Sequence, residues 1–257
     1  MADAAARGAA FFDLDKTLMD GSSGVYFARA AFETGMISRR RLALDVFENV
    51  RYRLVGSTDD RADAVRLRVA EMIAGVPVRD LQRLAPRVLA GVLPRLYPEM
   101  LERAWAHQDE GTPIFILTAA SQEMADLLCH VLGFDGGLGS RSEVVDGIYT
   151  GRAAGPFNYR EGKVASMEIV AAELGLALAD SWAYSDSESD LPMLRAVGHP
   201  VVVNPDAALR AIAIGEGWEI IELDHLRSRL KLAFALAGGA AGAALAATIA
   251  RARSANE

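Results

Sequence analysis

The stretch Phe11-Phe12-Asp13-Leu14-Asp15-Lys16-Thr17-Leu18 joins an apolar run to two carboxylates one residue apart. Residues 9–14 read as a short central strand, because a continuous apolar run of this length suits a strand covered on both faces. A charge at the end of such a strand is costly unless something compensates it. A hard divalent cation would do so, and carboxylates gathered at strand ends make a binding place for one. One stretch thus predicts a buried parallel sheet and a site at its carboxyl edge.

An isolated Asp-x-Asp also occurs in ordinary acidic turns, so its weight comes from what lies downstream. Trp182-Ala183-Tyr184-Ser185-Asp186-Ser187-Glu188-Ser189-Asp190 repeats the pattern, an apolar strand over residues 181–184 followed by two aspartates. Asp186 and Asp190 are spaced as neighbours on one helical turn. Asp186 is the better direct metal ligand, and Asp190 is either a ligand or the group that orients Lys163. Thr118 follows the apolar run Ile114-Phe115-Ile116-Leu117, and Ala119 and Ala120 leave room for backbone amides to approach an anion. A helix start at Ser121 adds a favourable field for that anion. Lys163 follows Gly162 at another helix start, where the helix field does not favour a cation, so a phosphate contact would explain its place.

Each group has a plain alternative: a solvated turn, an acidic first helical turn, a helix cap, a surface lysine. Taken together their roles are complementary. Asp13 can attack phosphorus while ligating the metal, and Asp15 can protonate the leaving oxygen and then activate water. The Thr17 hydroxyl can join the backbone groups around the phosphate, with Thr118 and Lys163. Asp13, Asp15, Asp186 and Asp190 are the candidate ligands for Mg2+.

The chain has 257 residues, enough for a substantial core in one domain or one domain with an insertion. A formal charge of −7 gives no global attraction for nucleic acid, and none is expected as partner. Cys129 is the single cysteine, which excludes an intramolecular disulfide and any multi-cysteine metal site. Together with a start that lacks signal-peptide character, this points to the cytoplasm. Between about residues 25 and 96 the pattern turns helical, with apolar faces at Ala28, Ala31 and Phe32, at Leu42 to Val50, and at Leu81, Leu84, Val88 and Leu89. Helices are also expected over residues 96–107, 121–132 and 162–174, strands over 113–117 and 200–203, and a hairpin over 141–155 turning at Asp146-Gly147. The fold class is therefore α/β: a Rossmann-like, mostly parallel sheet with helices on both faces and an inserted helical cap. The expected division is a core of residues 1–21 and 97–225, a cap of 22–96, and an apolar C-terminal helix in 226–257.

The motifs resemble those of the haloacid dehalogenase superfamily, in the subfamily that includes phosphoserine phosphatases. The aspartate-x-aspartate-x-threonine motif matches Asp13, Asp15 and Thr17; the second motif matches Thr118, the third Lys163 in Glu161-Gly162-Lys163. The fourth matches Asp186 to Asp190. The resemblance implies Asp13 as nucleophile, Asp15 as acid/base, Thr118 and Lys163 as phosphoryl contacts and Asp186 as a magnesium ligand. Asp15-Lys16-Thr17 is also similar to the phosphorylated motif of cation-pumping ATPases. That motif continues with Gly and Thr, whereas Leu18 and Met19 stand here.

Substrate choice is less determined. Phosphoserine phosphatases carry a glutamate just after the first motif, where this chain has Asp20-Gly21-Ser22-Ser23, and a serine-glycine-glycine second motif, where it has Thr118-Ala119-Ala120. Asp20, Ser22, Ser23 and Arg51 are the candidate specificity residues. Residues 232–250 form an uncharged run of 19, flanked by Arg227, Arg229 and Lys231 and by Arg251 and Arg253. As a helix it would nearly cross a bilayer, and Gly238-x-x-x-Gly242 could pair two such helices. An anchor at the inner face of the membrane and a helix packed in a soluble assembly are both open. The expected activity is Mg2+-dependent hydrolysis of phosphoserine or a related small phosphomonoester through a phosphoaspartate. The alternatives are a lysophospholipid or other lipid-phosphate phosphatase, a phosphotransferase to an alcohol, and a non-catalytic phosphate-binding scaffold.

Overall fold

The computed structural model describes residues 7–36 and 73–223. The chain divides into a unit spanning Met1–Ile221, treated below, and a second unit, Glu222–Glu257. The expected C-terminal helix lies outside the described residues, as do Arg51 and the apolar positions from Leu42 to Val50.

Six strands form one sheet in which all the neighbouring pairs run parallel, as expected from the apolar runs. In chain order they are β1 (Ala10–Phe12), β2 (Ile114–Ser121), β3 (Gly136–Ser140), β6 (Trp182–Ser185), β7 (His199–Val203) and β8 (Glu219–Ile221). The spatial order is β3-β2-β1-β6-β7-β8, so the chain steps outward from β1 in one direction and later in the other. Such a reversal opens a crevice at the carboxyl end of the central strand, and Asp13 is the first residue past β1.

Both sheet faces are covered, and side-chain alternation shows how. Phe11, Phe115, Leu117, Ala183 and Val202 pack with Met167 and Val170 of α6 (Glu161–Leu174), Met193 and Leu194 of α7 (Leu191–Arg195), and Leu209 and Ala213 of α8 (Ala207–Glu216). Phe12 points to the opposite face. It stacks on Tyr184, with centroids 4.3 Å apart, and meets His107 of α4 (Pro98–Asp109) and Phe134 edge-on. Helix α5 (Gln122–Leu132) begins where expected, with Ser121 Oγ accepting from the Met124 amide at 3.4 Å.

Strand β3 was not legible. Its Gly-Gly-Leu-Gly-Ser sequence has poor strand propensity. The glycines are required by contact, because a Cβ on Gly137 would lie 2.7 Å from the Ala125 carbonyl carbon and one on Gly139 2.5 Å from Gln122 Cα. Helix α5 thus rests directly on the β3 backbone.

Between β1 and β2 the described residues form α1 (Ser23–Glu33), α2 (Val78–Gln82) and α3 (Ala85–Val92), the helical insertion read from sequence. The two connections to the sheet run side by side. Met19 pairs with Leu96, the Asp20 amide donates to the Arg95 carbonyl, and the Tyr97 amide donates to the Leu18 carbonyl. The expected hairpin is present as β4 (Ser142–Val145) and β5 (Ile148–Ala153), turning at Asp146 and Gly147 with φ of 50° and 75°. It fastens the insertion to the core. Tyr149 packs with Ile73 and Leu81, exchanges backbone bonds with Gly75 and Val76, and donates its hydroxyl to Glu123 Oε1 of α5 at 2.5 Å.

Candidate active site

The tightest polar contacts of the sheet's carboxyl edge centre on Lys163. It stands in the first turn of α6 and is only 3% exposed. Its Nζ donates to Asp13 Oδ1 at 2.5 Å and to Asp190 Oδ2 at 2.7 Å. Residues 150 and 27 positions away in the chain therefore share one ammonium. A buried lysine ordinarily loses its proton more readily, yet these two carboxylates outweigh burial and hold the Lys163 ammonium charged. The unfavourable helix field at this position is offset in the same way.

Gly162 makes that placement feasible. A Cβ there would fall 1.8 Å from the Phe157 carbonyl oxygen, a backbone atom that cannot swing aside. Gly162→Ala should therefore push back the start of α6, costing about 1–3 kcal/mol and displacing Lys163. A urea denaturation midpoint equal to the parent's would contradict this.

Asp190 lies in a short 3-10 turn, Glu188–Asp190, and is held from two sides. Besides Lys163, the Ser185 hydroxyl donates to the same Oδ2 at 2.7 Å. Of the two roles read for Asp190, orienting Lys163 is the one visible in these contacts. Ser185 escaped the sequence reading, although a small hydroxyl residue closing the strand immediately before Asp186 was the available signal. Lys16 escaped it too. Its backbone takes a left-handed φ of 62°, and its Nζ lies 3.7 Å from Asp186 Oδ2.

Asp15 is engaged elsewhere. Its Oδ2 accepts from the Ser22 hydroxyl at 2.7 Å and its Oδ1 from the Ser23 amide at 2.8 Å. Ser22 and Ser23, expected to face substrate, thus have Asp15 as their partner. Thr118 is 3% exposed, and its Oγ1 accepts from the Ala120 amide at 3.1 Å. Strand β2 continues through Thr118 to Ser121 instead of ending at Leu117, with an irregular register beyond Leu117 that marks where the strand bends. Thr17 is fully buried and its hydroxyl has no protein partner, as is true of the Ser23 hydroxyl. Asp20 is half-buried beside this loop.

The donor set suits the magnesium that the motifs imply. Burial raises Asp13 to about 7 against the pull of Lys163, with Asp190 and Asp15 adding to the rise. Burial likewise raises Asp186 to about 6, opposed by Lys16. Two buried carboxylates held this far above their ordinary 3.8 are short of positive charge. Among the described residues no three acidic or imidazole groups form a complete cage. Magnesium does not need one, since it is usually bound by one or two carboxylates together with waters and substrate phosphate. Asp13 and Asp186, whose carboxyls stay raised even beside Lys163 and Lys16, are the two suited to that role, whereas both oxygens of Asp15 accept hydrogen bonds and Asp190 Oδ2 accepts two.

Known proteins resemble the chain over most of its length. The phosphoserine phosphatase SerB1 of Mycobacterium tuberculosis is 36% identical over 250 residues, covering 96% of this chain and 81% of that protein. A histidinol-phosphatase of Neisseria meningitidis is 28% identical over 217 residues, 82% of this chain and 97% of that one. A crystal structure of a protein of unknown function from Bordetella pertussis superposes with a TM-score of 0.74 at 31% identity, covering 84% of this chain and 98% of that chain. The family model for haloacid dehalogenase-like hydrolases matches residues 10–195. With the sheet-edge acids and Lys163 brought together on that fold, this chain belongs to the haloacid dehalogenase-like hydrolases and is one of their phosphatases.

Proposed function

We propose that the chain is a Mg2+-dependent phosphomonoester hydrolase that works through a phosphoaspartate on Asp13. The observation that supports this best is Lys163 bridging Asp13 and Asp190 at the carboxyl edge of the sheet. A phosphate binder without chemistry has no use for a buried carboxylate that lysine keeps available as a nucleophile. When bound, magnesium would supply a counter-charge for the Asp13 carboxylate and the phosphate dianion together. Asp13 and Asp186 are the residues that would hold it.

In the first half-reaction Asp13 attacks phosphorus, and the bond to the leaving oxygen breaks as Asp15 gives that oxygen a proton. In the second, Asp15 takes a proton from water as its oxygen attacks the phosphoaspartate and frees Asp13 and phosphate. Lys163 faces the charge that spreads over the transferred group, and the partnerless Thr17 hydroxyl and the backbone beyond Thr118 are the neutral donors for its oxygens. The chemistry falls in residues 1–21 and 97–225, and the insertion, residues 22–96, selects the substrate.

SerB1 and the Neisseria enzyme are named for phosphoserine and histidinol phosphate. Both are phosphate esters of a primary alcohol with an ammonium on the adjacent carbon, which makes small amino-alkyl phosphates the substrate class. Asp20, in the loop that follows the first motif, is the acidic residue we assign to such an ammonium. The lipid-phosphate alternative drew on residues 232–250, which lie outside the described residues. Among the described residues no helix is long and apolar enough to cross a membrane.

Phosphate release from phosphoserine, histidinol phosphate, glycerol phosphates and lysophosphatidate, with and without Mg2+, tests this reading. Release from the first two only with the metal is the expected result; phosphate transfer only to an added alcohol would replace hydrolysis with phosphotransfer. pH gives a second check. The unfolded value of 3.8 lies below the folded values of about 7 for Asp13 and about 6 for Asp186. The metal-free fold therefore holds protons that the unfolded chain has lost. The stability this confers is complete below 3.8 and is lost as pH rises through 6 to 7. Thermal melts without metal should fall across that window, and saturating Mg2+ should flatten the fall and move the acid limb of kcat/KM downward. A limb indifferent to Mg2+ would count against metal contact at Asp13.

A further inference from the structure

We propose that Ser22 is a positioning residue for proton transfer, holding the acid/base Asp15 from the first cap helix; the proposal rests on the hydrolase reading above. The geometry begins with the loop after β1. The Leu18 and Met19 amides both return to the Leu14 carbonyl, the Lys16 amide donates to the Gly21 carbonyl, and Asp15 pairs with Met19. Gly21 takes a φ of 86°, which a residue with a side chain rarely adopts. This tight return brings the start of α1 back onto Asp15.

What meets there is unusual for a helix start. Ser22 is the residue that would normally cap α1 with its own oxygen, and it makes no such bond. Its hydroxyl donates to Asp15 Oδ2, and the Asp15 carboxylate takes the amide of Ser23 through Oδ1. Asp15 therefore caps the helix, and the helix fixes both of its oxygens.

The two contacts have different capacities. The Ser23 amide can only donate, so its partner Oδ1 serves as an acceptor throughout. The Ser22 hydroxyl can donate to Oδ2 both when that atom belongs to a carboxylate and when it is the hydroxyl oxygen of the acid, whose own hydrogen is then free to face the leaving oxygen. It can therefore keep hold of Oδ2 whether or not Asp15 carries its proton. That matches a group that must give a proton to the leaving oxygen in one half-reaction and take one from water in the next. Oδ2 retains a second lone pair for the substrate while Ser22 occupies the first.

The coupling also has a direction. Helix α1 packs on α3 within the insertion, and Arg95 lies 4.7 Å over the Tyr26 ring of α1. A cap helix in place thus holds the acid in place.

The test compares kcat/KM for an alkyl phosphate, phosphoserine, with that for p-nitrophenyl phosphate, whose leaving group departs without a proton. Since kcat/KM reports the steps up to leaving-group departure, Ser22→Ala should lower it roughly tenfold for the alkyl ester, the scale of one hydrogen bond to a charged group, and by less than about twofold for the aryl ester. Ser22→Thr, which keeps the hydroxyl, should restore the alkyl activity. Equal losses on both substrates, or no loss on either, would overturn the proposal. Asp15→Asn separates the two readings. If it spares the aryl ester while Ser22→Ala does not, only the role of Ser22 falls. If it affects both esters equally, the acid role of Asp15 falls and takes the Ser22 proposal with it.

Discussion

Asp13→Asn is expected to abolish turnover, by roughly 10⁴-fold or more, the scale seen when a nucleophile is removed from a covalent mechanism. The amide is nearly isosteric with the carboxylate but too poor a nucleophile to displace an alkoxide from phosphorus. The fold should survive, because the substitution removes a buried carboxylate that burial already disfavours and leaves Lys163 paired with Asp190. Circular dichroism and the thermal midpoint should therefore stay close to the parent while activity disappears. Rapid quench with a labelled phosphomonoester should trap a phosphoprotein in the parent and none in the variant. Label accumulating normally in the variant would place the nucleophile elsewhere.

Lys163→Met should be costly in a different way. It leaves Asp13 and Asp190 buried without their shared counter-ion, a change worth about 3–5 kcal/mol of stability when one partner of a buried pair is removed. The loss should depend on pH with a definite sign. Asp13 lies at about 7 with lysine present, and removing the lysine raises it further, so at pH 5 the carboxyl is neutral and much of the penalty disappears. Urea denaturation at pH 5 and pH 8 measures this directly: the parent and variant should differ much more at the higher pH. A loss of the same size at both would show that packing of the lysine stem, and not its charge, is what the site needs. The kinetic effect should separate from stability: per folded molecule at pH 8 in saturating Mg2+, where Asp13 is ionised, kcat should fall about 10²–10³-fold for want of a fixed positive group facing the transferred phosphoryl.

These expectations also show which parts of the molecule were open to reading from sequence. The apolar runs before Asp13, Thr118 and Asp186 stand as parallel neighbours because strands covered on both faces admit little polarity, and that rule is written in composition. The Asp146-Gly147 turn was equally plain, since a tight hairpin needs left-handed backbone at both positions. The acids and Lys163 were recognisable as types in suitable local contexts. Strand β3 was hidden because its glycines answer to the helix lying on them, a neighbour no local pattern announces. Ser185 and Lys16 were hidden for a related reason: a serine or a lysine has no meaning until its partner is known.

Sequence by itself therefore determined the layered α/β architecture, the helical insertion after β1 and the set of residue types able to handle phosphate. Those depend on short-range patterns of polarity and backbone preference. Tertiary structure alone decided who holds whom: Lys163 between Asp13 and Asp190, Ser22 and Ser23 on Asp15, Lys16 beside Asp186. Partnerships of that kind are made across 150 residues of chain and more, where a polar contact is settled by fractions of an ångström that only the packed sheet and its helices set.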